Sequence, residues 1–150
     1  MPESLRTRLT RYYFNLAPTY WCTGATIEYI AADWREVRVR LPLSLRTRNY
    51  VGTLYGGSMY AAVDPIYMLM LIQVLGSDYV VWDKAASIQF KKPGRSTLYA
   101  HFCLDQAEID TIRTALTNAP SIDRLYTVEL VDRGGVVHAR VEKTIYVRRK

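Results

Sequence analysis

The sequence predicts a single α+β domain in which six antiparallel strands curl around one long buried helix. Three observations predict it. The stretch from Ser58 to Leu75 is apolar nearly all round and is closed by Gly76, which marks a helix wrapped in protein. Other segments alternate with period two: Val37, Val39 and Leu41 stand against Arg38 and Arg40, as in a sheet with one face on a core and one in water. The chain has 150 residues, which is room for one core and not for two. A helix apolar on every side needs a large sheet to cover it. A lone curved sheet leaves open edges, so pairing into dimers is expected.

In order along the chain, Ser4 to Asn15 reads as a helix, capped by Ser4 and stopped by Pro18. Ala25–Ala31 and Trp34–Leu41 read as the first two strands, and residues 42–55 as a loop leading through Gly56-Gly57 into the buried helix. Pro65 lacks the backbone donor a helix interior needs. It predicts a kink near Ala61 or a fresh first turn capped by Asp64, and either places Asp64 beside irregular backbone. Strands follow over Tyr79–Lys92 and Ser96–Leu104, with a turn at Pro93-Gly94. Gln106–Leu116 reads as a short helix capped by Asp105 or Asp110. Arg124–Asp132 and Val136–Arg148 close the chain as a hairpin.

Composition narrows the function classes. Hydrophobic residues make up 49% and charged residues 23%, which is too apolar for disorder. Cys22 and Cys103 lack metal-ligand spacing and read as buried small hydrophobes in a reducing compartment. The first residues carry charge without an apolar stretch, and the apolar run Pro65–Ile72 falls short of the roughly 20 residues that span a bilayer. A cytoplasmic protein with no membrane partner is expected. The net charge of +6 includes a cluster of Lys91, Lys92 and Arg95, yet no nucleic-acid motif accompanies it. Solvated surface charge is one reading of that cluster, and a site for the phosphates of coenzyme A is the other. The 12 tyrosines suit strands, half-wet pockets and subunit interfaces.

The chemistry concentrates between Asn49 and Asp64. Gly56 and Gly57 open the buried helix, where backbone amides have no partner within the helix and the positive end of the dipole lies behind them. A carbonyl placed there is polarised, and an oxyanion is stabilised. Asp64 follows Gly57 by seven residues, about two helical turns, and so shares its face. A carboxylate there can attack a carbonyl or activate water. Asp83 is the second carboxylate, and from the residues alone it reads as an ion pair with Lys84 or an arginine. His101 and His138 sit in strand patterns and read as structural, while Met59, Met68 and Met70 read as core.

Asn49, Gly52-Thr53, Gly56-Gly57 and Asp64 match in order and spacing the motif of hotdog-fold acyl-CoA thioesterases of the phenylacetic-acid-pathway branch. The segment resembles that family, and the order of elements extends the likeness over most of the chain. The resemblance implies a homodimer or dimer of dimers that hydrolyses an acyl-CoA or acyl-carrier-protein thioester without metal or cofactor, coenzyme A being part of the substrate. It implies Asp64 as nucleophile or general base, the Gly57 amide as oxyanion hole, and Asn49 as the residue that orients water or carbonyl. It places Asp83 where relatives position the attacking water and, in a dimer, across the subunit interface from Asp64, and it places Gly56, Ser58, Lys84, Lys91, Lys92 and Arg95 against the substrate. Tyr55 stands where the motif has histidine. Tyrosine donates a hydrogen bond but takes no proton near neutral pH, so Tyr55 also favours a non-catalytic hotdog module that binds a fatty-acyl or coenzyme A ligand. Tyr-Gly-Gly together with Trp82-Asp83-Lys84 resembles a hotdog subfamily known as thioesterases only by analogy. A dehydratase is disfavoured, because neither histidine lies in the segment such an enzyme needs.

Overall fold

Local chemistry starts each element. In the computed structural model, which describes all 150 residues, Ser4 caps helix α1 (Leu5–Leu16) by accepting from the Thr7 amide, and Thr7 answers with a reciprocal bond to the Ser4 amide. Pro18 ends this helix and also starts the next. With its fixed φ it occupies the first position of a short helix α2 (Pro18–Trp21) that the sequence does not announce.

Six strands form one antiparallel sheet: β1 (Thr26–Ile30), β2 (Glu36–Leu41), β3 (Tyr79–Phe90), β4 (Leu98–Cys103), β5 (Ser121–Val131) and β6 (Val137–Arg149). Their spatial order is β1-β2-β4-β5-β6-β3, so β1 and β3 are the edges. The long apolar segment forms two helices, α3 (Gly56–Val63) and α4 (Ile66–Leu75), which pack against β2, β6 and β3. A fifth helix, α5 (Gln106–Asn118), is capped by Asp105 and leans on β5. The stretch Gly56–Leu75 is long and apolar enough to cross a membrane, but here it lies in the embrace of the sheet.

The core is where the period-two faces meet the helices. Val37, Val39 and Leu41 of β2, Phe102 of β4 and Val141 and Ile145 of β6 are buried against Met59, Met70 and Leu71. Each fully buried side chain of that size contributes about 1.5–3 kcal/mol. Strand residues pointing the other way stay wet, and this corrects one expectation. Both cysteines are exposed: Cys103 lies on the outward face of β4, and Cys22 lies at the end of α2.

Gly24 shows how tightly the turn after α2 packs against the loop that follows β2. It adopts φ +79°, and an added Cβ would stand 2.2 Å from Thr47 Cγ2. Thr47 is itself fully buried, with its hydroxyl donating to the Pro42 carbonyl at 2.6 Å. Gly24→Ala therefore combines left-handed strain with overpacking and should cost on the order of 2–4 kcal/mol in urea unfolding. A loss below about 0.5 kcal/mol would show that Thr47 yields.

Candidate active site

Strand β6 places a charge in the core. Its odd-numbered residues face the helices, so Lys143 falls between the buried Val141 and Ile145 and is only 1% exposed. A lone ammonium in such a place is costly, and buried charges are kept only with partners. Lys143 has two carboxylates. Its Nζ lies 2.5 Å from Asp64 Oδ1 and 3.1 Å from Asp83 Oδ1.

Asp64 reaches this cation because the helix breaks beside it. Pro65 has no N–H to give the Ala61 carbonyl, so α3 ends at Val63 and α4 begins afresh at Ile66. Asp64 closes α3 rather than capping α4 with its side chain; its carboxylate accepts from Tyr60 Oη at 2.6 Å and from Lys143. Both bonds fall on Oδ1. Oδ2 has no hydrogen bond within the chain, and the side chain is 42% exposed.

Asp83 arrives from the edge strand, where a bulge between Asp83 and Ala85 shifts the register of β3 against β6. Its Oδ1 is buried, and the ion pair with Lys143 is its sole polar contact, off the line of a good hydrogen bond. Burial pushes the Asp83 carboxyl above the usual aspartate range, only partly offset by Lys143. Burial works against the Lys143 ammonium too, yet hydrogen bonds and charge from Asp64 and Asp83 outweigh it and leave its pKa raised. The Tyr60 hydroxyl is pushed up by burial and by its bond to Asp64. The two carboxylates thus meet inside one chain through a lysine. Lys84, the neighbour proposed for Asp83, pairs instead with Asp123 at 2.6 Å on the surface.

The glycine end of α3 is built separately. Asn49 Oδ1 accepts from the amides of Val51 and Thr53, and its Nδ2 donates to Thr53 Oγ1, so this side chain braces the loop. The loop is tied to the Pro93-Gly94 turn by the Leu54 amide, which donates to the Gly94 carbonyl at 2.8 Å. The amides of Gly56, Gly57 and Ser58 donate to no backbone carbonyl, and Ser58 is buried in this first turn. A Cβ on Gly56 would meet the Phe90 ring at 2.8 Å, and one on Gly57 the Tyr55 ring at 2.4 Å. The glycines are needed because two aromatic rings crowd the helix start.

Two depressions flank α3. One, of about 380 Å³, is lined by Asn49, Thr53, Gly56, Phe90, Lys91 and Lys92 among others. His138 supports its rim: Nδ1 lies 3.0 Å from the Pro93 carbonyl and Nε2 3.1 Å from Asp132. Arg95 is exposed and is not part of the lining. The other, of about 410 Å³, lies between the N-terminal helices and the central pair, with Tyr13, Phe14, Ile27, Ala61, Leu69 and Asp64 in its wall. Within the chain, then, Asp64 and the Gly56 end of α3 open into different hollows.

Sequence reasoning missed Lys143 and Tyr60. The signal for Lys143 was present: in Val141-Glu-Lys-Thr-Ile-Tyr-Val147 the lysine sits in the apolar phase of the alternation. Tyr60 precedes Asp64 by four residues, the spacing at which helix side chains touch.

Comparisons with known proteins agree with this architecture. A protein of unknown function from Pseudomonas aeruginosa, PA5026, described as a probable thioesterase, superposes with a TM-score of 0.84 at 19% identity, over 100% of this chain and 99% of that one. Thioesterase HI1161 from Haemophilus influenzae gives 0.71 at 14% identity over 98% and 93% of the two chains. Thioesterase PA1618 from Pseudomonas aeruginosa, in a mutant form, gives 0.70 at 13% identity over 95% and 94%. No curated protein matches by sequence. At these identities the shared property is the fold, which is the hotdog fold. The profile of a domain of unknown function, DUF4442, matches residues 6–147, and this chain, with its hotdog sheet around a broken central helix, belongs to that family.

Proposed function

We propose that this protein hydrolyses an acyl thioester, with Asp64 as its general base or nucleophile. One observation carries the reading: a carboxylate held on one oxygen, with no hydrogen bond on the other, lines a largely apolar pocket. As general base, Asp64 Oδ2 takes a proton from water while the water oxygen bonds to the thioester carbonyl carbon. The tetrahedral intermediate then collapses, the carbon–sulfur bond breaks, and the proton passes to the departing thiolate. The Gly57 amide is the candidate oxyanion donor, since it is free at a helix N-terminus.

The acyl chain fits the pocket of about 410 Å³ under the N-terminal helices. At about 30 Å³ per water-sized group, that space holds on the order of ten methylenes. Lys91 and Lys92, beside Gly56, suit the phosphates of coenzyme A or of a carrier arm. A homodimer would bring the two hollows together across β3, a 12-residue edge strand whose Trp82 and Phe90 are exposed. Ala61→Phe should fill the acyl pocket and lower kcat/KM for decanoyl-CoA by roughly 10–200-fold, leaving acetyl-CoA within about threefold. Equal losses on both substrates would place the chain elsewhere.

The crowding of Gly57 by the Tyr55 ring favours a second reading, a non-catalytic module that binds an acyl or coenzyme A ligand. Purified protein assayed with acyl-CoAs of increasing length, following free thiol, separates the two. Turnover that disappears in Asp64→Asn supports hydrolysis. Binding of coenzyme A beside Gly57 with no turnover at any length supports the module. A monomer at micromolar concentration would count against both.

A further inference from the structure

Lys143 is the one fully buried charge in the molecule, and the motif that points to Asp64 says nothing of it. Its surroundings on β6 are aliphatic, with Val141 and Ile145 on either side in the inward register. Across β3 the register partner is Ala86, and across β5 it is Tyr126. The Tyr126 hydroxyl is taken up by Glu108, which also pairs with Arg124. The groups left to face Lys143 are Asp64 and Tyr60 from the helix side and Asp83 from β3. Nζ lies within 3.3 Å of all three. Two of the three ammonium donors go to Asp64 and Tyr60, and Asp83 adds an ion pair.

A chain that needed only stability here would do as well with apolar side chains in place of Lys143, Asp64 and Asp83 together, since well-packed hydrophobic replacements of whole buried ion clusters are often neutral or stabilising. The arrangement does something an apolar residue could not. Lys143 and the Tyr60 hydroxyl converge on the same oxygen of Asp64, 2.5 and 2.6 Å away, and leave the other oxygen without a hydrogen bond. A carboxylate so held cannot rotate its two oxygens past each other without losing both bonds. Asp83 stands 3.1 Å from Nζ as the second carboxylate of the cluster.

We propose that Lys143 is the positioning residue of this site: with Tyr60 it locks Asp64 by Oδ1, so that Oδ2 alone faces the substrate. The proposal rests on the reading of Asp64 as the reacting carboxylate. Lys143 touches no substrate. It acts through Asp64, and its removal should lower kcat and leave KM alone.

The test is a double-mutant cycle on decanoyl-CoA hydrolysis. Lys143→Met keeps length and apolar contact but takes the cation from Asp64 and Asp83, so it is expected to fold with a thermal midpoint several degrees below the parent. Its kcat should fall at least ten-fold with KM within twofold, and Lys143→Met added to Asp64→Asn should cost nothing further. Tyr60→Phe, which removes the other bond to Oδ1 and fits the same space, should lower kcat by about three- to ten-fold with the same non-additivity. It serves as the independent arm if Lys143→Met fails to fold. An unchanged kcat in both variants would overturn the proposal, as would losses that multiply with that of Asp64→Asn. Should the parent cleave no thioester, the hydrolase reading fails by itself. The lock is then read from urea midpoints, where Lys143→Met and Asp64→Asn should be non-additive if the two side chains act as one unit, and additive if they do not.

Discussion

Asp64→Asn should abolish most thioester hydrolysis while leaving the protein folded. In the proposed mechanism the unbonded oxygen of Asp64 takes a proton or attacks, and an amide does neither. Losses for removing a positioned base run to about 10²–10⁴-fold in kcat. The fold should survive because the amide oxygen can still accept from Tyr60 and Lys143, and because Asp83 remains to balance the buried ammonium. Asparagine also keeps the shape at the α3–α4 break, where Pro65 rather than the carboxylate interrupts the helix. The measurement is kcat and KM by thiol release beside a thermal scan. Full activity in a folded Asp64→Asn protein would remove Asp64 from the mechanism, whereas lost activity with a collapsed midpoint would mean that the carboxylate is structural.

The largest loss of stability is expected from Phe102→Ala. Phe102 is fully buried on β4 and meets the Tyr67 ring edge-on with centroids 5.0 Å apart. Tyr67 in turn stacks on Tyr126 at 4.7 Å, and the Tyr126 hydroxyl donates to Glu108 on α5. Burial holds the Tyr67 phenol up at about 12, so it stays a neutral ring throughout the useful pH range. This aromatic column ties β4, α4, β5 and α5 together, and truncation at its base leaves a cavity that neither sheet nor helix can close. The cost should be about 3–5 kcal/mol, a large share of the 5–15 kcal/mol typical of a domain. The thermal midpoint should fall by roughly 10 °C. Because α4 starts immediately after Asp64, activity should weaken before global unfolding. A drop of less than about 3 °C would show that the column carries little of the fold.

The site was partly legible in the sequence. Gly56, Gly57 and Asp64 stand out because helix starts and helix breaks have local causes: glycine at a crowded turn and proline without a donor. The alternation along β2 and β6 is equally local, and it delivers the sheet. Exposure of Cys22 and Cys103 was misread because cysteine is usually buried, whereas the outward phase of β4 decides for Cys103. The start of α2 was missed because proline both stops and starts helices. Lys84 and Asp83 are neighbours in the chain but point to opposite faces, so their proximity in sequence says little about pairing.

By itself, then, the sequence determined the class of fold, the broken central helix and the position of Asp64 at the break, all set by periodicities and backbone chemistry spanning a few residues. Only the tertiary structure decided who surrounds that carboxylate. Lys143 lies 79 residues from Asp64, and the two meet because β6 crosses beneath the helix break. Registers between strands, not local propensities, place one buried cation between two acids, and no window along the chain contains that information.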